Sequence, residues 1–292
     1  MAKIIWLASY PKSGNTWLRA LLTNYWRDGD SPADINQLDG GPIASARVWF
    51  DEWAGIEASA LSDNLIERLR PEVYRCLARE AIDTLFMKVH DAWRRTDRDE
   101  PLFPAEVTAG VVYIIRNPLD LAMSCAHHWG CDIAQAVEKL CDPNHALSRS
   151  LGGLADQLRQ RLGSWSGHVQ SWLDVSGLPT HIVRYEDLRR DPEAIFGAVV
   201  RFCGMVFDAA RVRKAVAFSD FAELQRQEQA MGFHERSVVA PGKFFRRGQV
   251  GSWRQELSPD LAQRLIAAHG DTMRRFRYLD ENFLEHPILS EV

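Results

Sequence analysis

The chain has 292 residues, is 46% hydrophobic and 25% charged, and carries a formal net charge of −4. That balance excludes a general nucleic-acid binder, so positive charge at any site must be local, and no run approaches the roughly 18–20 apolar residues of a membrane span. The five cysteines (Cys76, Cys125, Cys131, Cys141, Cys203) form no CxxC pair and no zinc-like spacing, which suits free thiols in a cytoplasmic protein with neither a nucleic-acid nor a membrane partner.

In chain order, Lys3–Ser9 is a nearly unbroken apolar run of strand length, and Trp17–Leu22 has the apolar spacing of a helix. Between them lies the polar turn Tyr10-Pro11-Lys12-Ser13-Gly14-Asn15-Thr16. A strand, a tight turn and a helix N-terminus make a site for phosphate, because the first-turn N–H groups and the dipole both face the anion. Lys12 adds a point charge, and Ser13, Asn15 and Thr16 add hydrogen bonds or cap the helix. The turn is not a Walker loop, whose two glycine positions hold Trp6 and Pro11 here. An apolar run that starts at Ile4 and ends in such a turn is also not a signal peptide.

Residues 28–56 read as a long irregular loop ending in the aromatic cluster Trp49, Phe50 and Trp53. Two helical patterns follow between Leu61 and Thr84, the second opening at Pro71. Leu85–Val89 is a short strand closed by His90-Asp91, residues 92–109 form a loop, and Gly110–Ile115 is the clearest strand. Arg116-Asn117-Pro118 ends it, with Asn117 as cap and Pro118 at the first position of a helix. Helical patterns with breaks near Pro143 and Gly152-Gly153 run to Val175, and Thr180–Tyr185 is another strand. Helices are expected over 192–204 and 208–228, a basic Gly/Pro-containing loop over 229–250, and two last helices near 258–269 and 271–277. There is no repeat and no convincing linker, so residues 1–292 read as a single domain.

Strands alternating with helices predict an α/β fold with a mainly parallel sheet flanked by helices. In such sheets ligands bind beyond the carboxyl ends of the strands. The residues there are Lys12, His90, Arg116 and Tyr185-Glu186, a set suited to holding an anion and moving a proton. Alternation along the strand puts Lys88 on the same face as His90, and a histidine with a pKa of about 6.5 can take a proton near neutral pH.

The segment Tyr10–Trp17 resembles the P-loop-like phosphosulfate loop of the cytosolic-type sulfotransferases that use 3′-phosphoadenosine 5′-phosphosulfate (PAPS), with Asn15 where those members usually carry Thr. Two further motifs follow in the family's order. Arg116–Ser124 is similar to the segment whose Arg and Ser hold the 3′-phosphate, a group that suits a planar forked donor plus a hydroxyl. Phe245–Trp253 is similar to the signature loop Arg-Lys-Gly…Gly-x-Trp, with Arg247 in place of its Lys. The resemblance implies cofactor contacts from Lys12, Ser13, Gly14, Asn15, Thr16, Trp17, Arg116, Ser124, Arg246, Arg247 and Gly248. It further implies that Tyr185 lies near the adenine and that Ser219 and Phe221, in a segment like Thr-Ser-Phe, hold that ring. Lys88-Val89-His90 resembles the family's Lys-Thr-His, which makes His90 the general base and Lys12 and Lys88 its catalytic companions. The family's Leu-Pro after that His is Asp91-Ala92 here.

On this resemblance the chain is a sulfotransferase acting on a small-molecule hydroxyl, with an amine less favoured, and needing no metal. The alternatives are a P-loop-like kinase using ATP and Mg²⁺ and a non-catalytic nucleotide-binding module; the first lacks the Walker spacing and the second would not require His90. The Lys-x-x-x-Thr-Val-x-x-x-Glu dimerisation segment of many cytosolic members is not found, so a homodimer stays open. His127, His128, Trp49, Trp53, Trp93 and Trp129 are either acceptor-pocket residues or packing.

Overall fold

The structure, a computed structural model, describes residues 3–148 and 156–279. Strand β1 (Ile4–Ser9) is buried along its whole length. Alternation sends Ile4, Trp6 and Ala8 into one core and Ile5 and Leu7 into a second, so the strand needs cover on both faces. Helix α1 (Asn15–Arg27) provides it on one side, packing Leu18, Leu21, Leu22 and Tyr25 into the second core. On the other face Trp6 lies edge-on to Tyr74 and Phe103, with ring centroids 5.0 and 4.9 Å away.

Helices α2 (Arg47–Ala54) and α3 (Asp63–Glu80) precede strand β2 (Leu85–Val89). Strand β3 (Thr108–Ile115), helices α4 (Pro118–Trp129) and α5 (Ile133–Cys141), and the short strands β4 (Ala146–Leu147) and β5 (Gln160–Arg161) follow. Helix α6 (Trp165–Gln170) leads through a π-helical turn to strand β6 (Thr180–Arg184). The last elements are α7 (Tyr185–Arg190), α8 (Pro192–Phe202), α9 (Ala209–Phe218), α10 (Phe221–Met231), α11 (Trp253–Glu256) and α12 (Pro259–Arg275). The central sheet has the order β2-β1-β3-β6, and every neighbouring pair is parallel. All four carboxyl ends therefore lie on one edge, as the strand–helix alternation implied, while β4 and β5 pair antiparallel in a sheet of their own.

Several boundaries differ from the sequence reading. Helix α3 runs unbroken through Pro71. The ring forfeits only one intrahelical bond, while Ile66, Arg70, Val73, Tyr74 and Leu77 form one buried stripe on both sides of it. Likewise α12 is one helix, because Gly270 lies inside a buried stripe with Leu265, His269 and Met273 rather than at an end. Residues 208–228 are instead two helices, divided where the Asp220 side chain caps α10 at the N–H of Ala222. Tyr185 opens α7 rather than closing β6. The irregular stretch 28–56 contains α2 and is held from inside: Arg19 donates to the carbonyls of Leu38 and Asp39 at 3.1 and 3.0 Å. The expected break at Gly152-Gly153 lies outside the described residues.

Candidate active site

The carboxyl edge of the sheet opens into a cleft of about 760 Å³. The turn after β1 shapes its floor. Lys12 takes φ 69° and Gly14 φ 110°, both left-handed, and Gly14 is the N-cap of α1 with no side-chain cap. By contrast α4, α5, α8 and α12 are all capped by side chains. The first N–H groups of α1 are thus left for an anion. A side chain at Gly14 would also collide with Tyr185, whose Cδ2 would stand 2.7 Å from a Cβ there.

Lys12 Nζ lies 3.2 Å from the centroid of the Phe244 ring. Burial, together with the nearby Lys88 and Arg116, lowers its pKa to about 7. The Ser13 hydroxyl is buried without a partner. Asn15 turns its amide nitrogen to the strand: Nδ2 donates to the Leu7 carbonyl at 2.7 Å and to Ser9 Oγ at 3.2 Å, while Oδ1 is buried without a partner. Neither Ser13, Asn15 nor Thr16 caps the helix; Asn15 ties α1 to β1.

Arg116, just past β3, stacks on Tyr185 with its guanidinium carbon 4.4 Å from the ring centroid. It also donates to the carbonyls of Lys12 and Gln249 at 3.2 and 3.3 Å, and its Nε is buried and unpartnered. Ser124 lines the same wall from α4. Against this wall runs the basic loop, which bends at Gly248 (φ 60°), where the Phe221 ring would come within 2.6 Å of a Cβ. Two carboxylates hold this loop by its backbone. Glu228 accepts from the N–H groups of Phe244 and Phe245 at 2.6 and 2.9 Å. Asp120 accepts from those of Gly251 and Trp253 at 2.7 and 3.0 Å. Asp120 is therefore a loop anchor and not a counter-ion for Arg116.

Lys88, His90, Tyr185, Phe221, Arg246, Arg247 and Gly248 all border this cleft, as do Lys12, Gly14, Asn15, Thr16 and Trp17. Ser219 does not. It is fully buried, its hydroxyl accepting from Asn24 at 3.0 Å and its carbonyl from the Trp17 indole at 2.9 Å, so it seats Trp17 instead. Arg247 is paired with Glu256. Of the aromatic and histidine side chains left open by the sequence, His128 and Trp129 line the cleft, whereas Trp49 and Trp53 pack against the larger core and Trp93 is buried in it.

His90 Nδ1 is 2.8 Å from the Ser9 carbonyl. A carbonyl only accepts, so Nδ1 carries the proton and Nε2 is the basic nitrogen. Burial and the adjacent Lys88 hold the pKa of His90 well below the usual histidine range, so the imidazole is neutral at physiological pH. Residues the sequence reading passed over fix its backbone. His168 Nε2 donates to the His90 carbonyl at 3.0 Å, and its Nδ1 is 2.7 Å from the Tyr113 hydroxyl. Next along the chain, the Asp91 carboxylate takes both terminal nitrogens of Arg70 at 3.0 and 2.8 Å, both side chains being essentially inaccessible. The Trp172 indole donates to the Asp91 carbonyl at 3.0 Å. Asp91, the departure from Leu-Pro, thus serves as one half of a buried ion pair.

Residues 3–277 match the sulfotransferase domain family. Among curated proteins the chain is 25% identical over 278 residues to sulfotransferase 2A6 of Rattus norvegicus, covering 92% of this chain and 84% of that one. It is 24% identical over 305 residues to cytosolic sulfotransferase 16 of Arabidopsis thaliana, at 96% and 77% coverage. Among solved structures, mouse sulfotransferase SULT7A1 complexed with PAP superposes with a TM-score of 0.60 at 18% identity, covering 94% of this chain and 85% of that one. Retinol dehydratase in complex with androsterone and inactive cofactor PAP gives 0.60 at 17% identity, with 96% and 83% coverage. At such identities the superpositions speak for the fold alone. The match to the domain family spans nearly the whole chain and takes in the turn at Lys12, the strand ends and the basic loop: this protein belongs to the sulfotransferase family.

Proposed function

We propose that this one domain moves a sulfonate group from PAPS to the hydroxyl of a small molecule, with His90 as general base. One observation carries the reading: an uncapped helix N-terminus beside Lys12, the cations Arg116, Arg246 and Arg247, and the basic Nε2 of His90 all address a single cleft. The donor set fits the nucleotide, since Arg116, which lines the cleft, keeps a buried Nε that finds no protein partner, and such groups are costly unless a ligand pairs them. When bound, PAPS supplies the sulfonate. The N–H groups of α1, Lys12, Ser13 and Thr16 would hold its 5′ side, and Arg116, Ser124, Arg246 and Arg247 its 3′-phosphate. Tyr185, Phe221 and Trp17 would border the base, with Gly14 and Gly248 admitting the rings that pack on them.

His90 Nε2 takes the proton of the acceptor hydroxyl, and the Nδ1–H bond to Ser9 keeps that nitrogen unprotonated beforehand. Lys12 and Lys88 present positive charge to the reacting end of the cleft as fixed electrostatic stabilisation. The same charges disfavour a protonated amine as acceptor. Pro42, Ile43, Trp129 and Leu147 give the rest of the cleft apolar walls for the acceptor's body.

Selectivity for the 3′-phosphate tests this reading. Any adenine nucleotide can meet the turn at Lys12, but Arg116, Ser124, Arg246 and Arg247 need a second phosphate. Charge-assisted hydrogen bonds are worth about 1.5–3 kcal/mol each, so calorimetry should show adenosine 3′,5′-bisphosphate binding roughly 10²-fold or more tighter than AMP. Arg116→Ala should lose most of that preference with AMP little changed. Equal affinities in the parent protein would defeat the assignment.

Lys12 gives a second, independent signature. Its pKa of about 7 rises when phosphates arrive, so at pH 8 the complex holds more protons than the separate partners. Titrations in buffers of different ionisation heat should show uptake approaching about one proton at pH 8 and much less at pH 6. Nucleotide affinity should accordingly fall as pH rises above 7. Equal proton uptake at both pH values would contradict the assignment of Lys12 to the anion.

A further inference from the structure

Glu235 lies in the loop after α10 and has no counterpart among the residues that hold nucleotide or take the proton. Its carboxylate nevertheless joins two cations from different elements. Oε2 is 2.8 Å from Lys88 Nζ at the end of β2, and Oε1 is 2.5 Å from Arg19 Nη1 on α1. The Arg19 side chain is only 3% exposed and that of Lys88 14%. Arg19 cannot move to follow its partner, because its other nitrogens are bound to the carbonyls of Leu38 and Asp39. The same stretch of chain grips Lys88 itself: the Lys88 N–H donates to the Gly40 carbonyl at 3.0 Å, and the Lys88 carbonyl accepts from the Ala44 N–H at 2.8 Å. Lys88 is thus fixed at its backbone by residues 40–44 and at its ammonium by a carboxylate that a buried arginine holds in place.

We infer that Glu235 is a positioning residue for sulfonate transfer, holding Lys88 charged and aimed at the reacting end of the cleft through its ion pair with Arg19. The inference rests on the assignment of Lys88 to the reacting group. A single carboxylate shared by two cations leaves the triad one positive charge in excess, which an incoming sulfonate can answer. Without Glu235, two cations would face each other with little solvent between them, and the lysine is the one that can give up its proton.

Apart from Glu235, none of the described groups around Lys88 offers it negative charge. Arg19 from α1 and Lys12 from the turn after β1 are cationic neighbours, while His90 after β2 and His128 from α4 are kept neutral by burial and by Lys88 and so bring no negative charge to offset it. Burial and Arg19 lower the Lys88 pKa, and Glu235 is the neighbour that opposes them. Glu235 is held to about 2 by Lys88 and Arg19 despite its burial, so it stays ionised over the whole working range. No other described carboxylate pairs with Lys88.

Three variants test the assignment: Glu235→Gln, Glu235→Asp and Lys88→Met. In Glu235→Gln the turnover at pH 8 should fall by about ten- to hundred-fold, short of the roughly 10²–10³ lost when an electrostatic donor is itself removed. The deficit should shrink as the pH is lowered, because the alkaline limb of the kcat profile moves to lower pH. KM for the nucleotide should change little. Glu235→Asp, which keeps the charge, should recover part of the loss.

A readout without turnover accompanies these. Competitive acetylation of the nucleotide-free protein, read by mass spectrometry at the peptide containing Lys88, should show Lys88 becoming reactive at lower pH in Glu235→Gln than in the parent, with Glu235→Asp between them. An unchanged acetylation profile and an unchanged pH profile would overturn the inference. So would a Glu235→Gln enzyme that is faster at every pH, since the carboxylate would then be blocking Lys88. Full activity in Lys88→Met would instead refute the role of Lys88, whatever Glu235 does to its titration. Should Glu235→Gln not fold, the acetylation and pH profiles of Glu235→Asp against the parent decide, and a profile identical to the parent's counts against the inference.

Discussion

Replacement of His90 by Ala is expected to lower turnover by about 10²–10⁴-fold, the contribution typical of one acid–base catalyst, while leaving the affinity for adenosine 3′,5′-bisphosphate almost unchanged. The separation follows from the site's layout. His90 follows β2 at one flank of the sheet order β2-β1-β3-β6, while the turn at Lys12 follows β1 and Arg116 follows β3. The tautomer sharpens the expectation. Nδ1 is spent on the Ser9 carbonyl, which leaves Nε2 as the nitrogen free to take a proton, and burial and Lys88 keep the pKa of the ring well below the usual histidine value. A base with a lowered pKa is already unprotonated at neutral pH, so kcat/KM should hold its plateau well into mildly acidic solution, below the 6.5 of an ordinary histidine. Steady-state kinetics and calorimetry of the same preparation check both halves. A His90→Ala protein within a few-fold of the parent would remove His90 from the mechanism.

The largest stability effect is expected one residue further on. Breaking the Arg70–Asp91 pair by Asp91→Ala or Arg70→Ala should destabilise the fold by about 3–5 kcal/mol, because either change leaves a buried charge without its partner. Arg70 loses its bidentate acceptor and keeps only the bond from Nε to the Tyr74 hydroxyl, at 3.0 Å. An apolar pair, Arg70→Met with Asp91→Leu, should cost clearly less than either single change, since neither charge is then stranded. Urea unfolding of the three variants measures this; a double variant that loses the sum of the two singles would show that the pair acts by packing rather than by charge. Activity should fall with stability in the single variants, since the backbone of Asp91 continues directly from His90.

The four strands of the central sheet and the motifs at their ends were readable in the sequence because each depends on local pattern, whereas β4 and β5 lie in a stretch read as helical. Leu85–Val89 and Ile4–Ser9 show as apolar runs, and Asn117-Pro118 shows as a helix start, which the bond from the Leu119 N–H to Asn117 Oδ1 at 3.0 Å bears out. Long-range partners were not readable. Nothing local distinguishes Asp120 from any acidic residue in the first turn of a helix, yet it receives two N–H groups from more than 130 residues away. Glu235 and Asp91 are similar cases: their partners Arg19, Lys88 and Arg70 are set by the crossing of elements. Helix ends at Pro71 and Gly270 were misjudged because propensity is local while burial of a continuous stripe is not. Ser219 was placed by motif in the nucleotide site, but it lies buried behind the cleft and accepts from Asn24, while Asn15 borders the cleft and spends its Nδ2 on the Leu7 carbonyl.

The way Glu228 and Asp120 hold the basic loop separates the loop's shape from its chemistry. Both carboxylates bind main-chain N–H groups, at Phe244 and Phe245 on one side and at Gly251 and Trp253 on the other. The side chains of residues 246, 247 and 249 play no part in either anchorage. Apart from the turn at Gly248 and the ion pair of Arg247 with Glu256, the segment is a cassette clamped at both ends by its backbone. On the proposed role of Arg246 and Arg247, nucleotide preference is therefore open to engineering by libraries at these two positions, with the two clamps and the glycine left untouched.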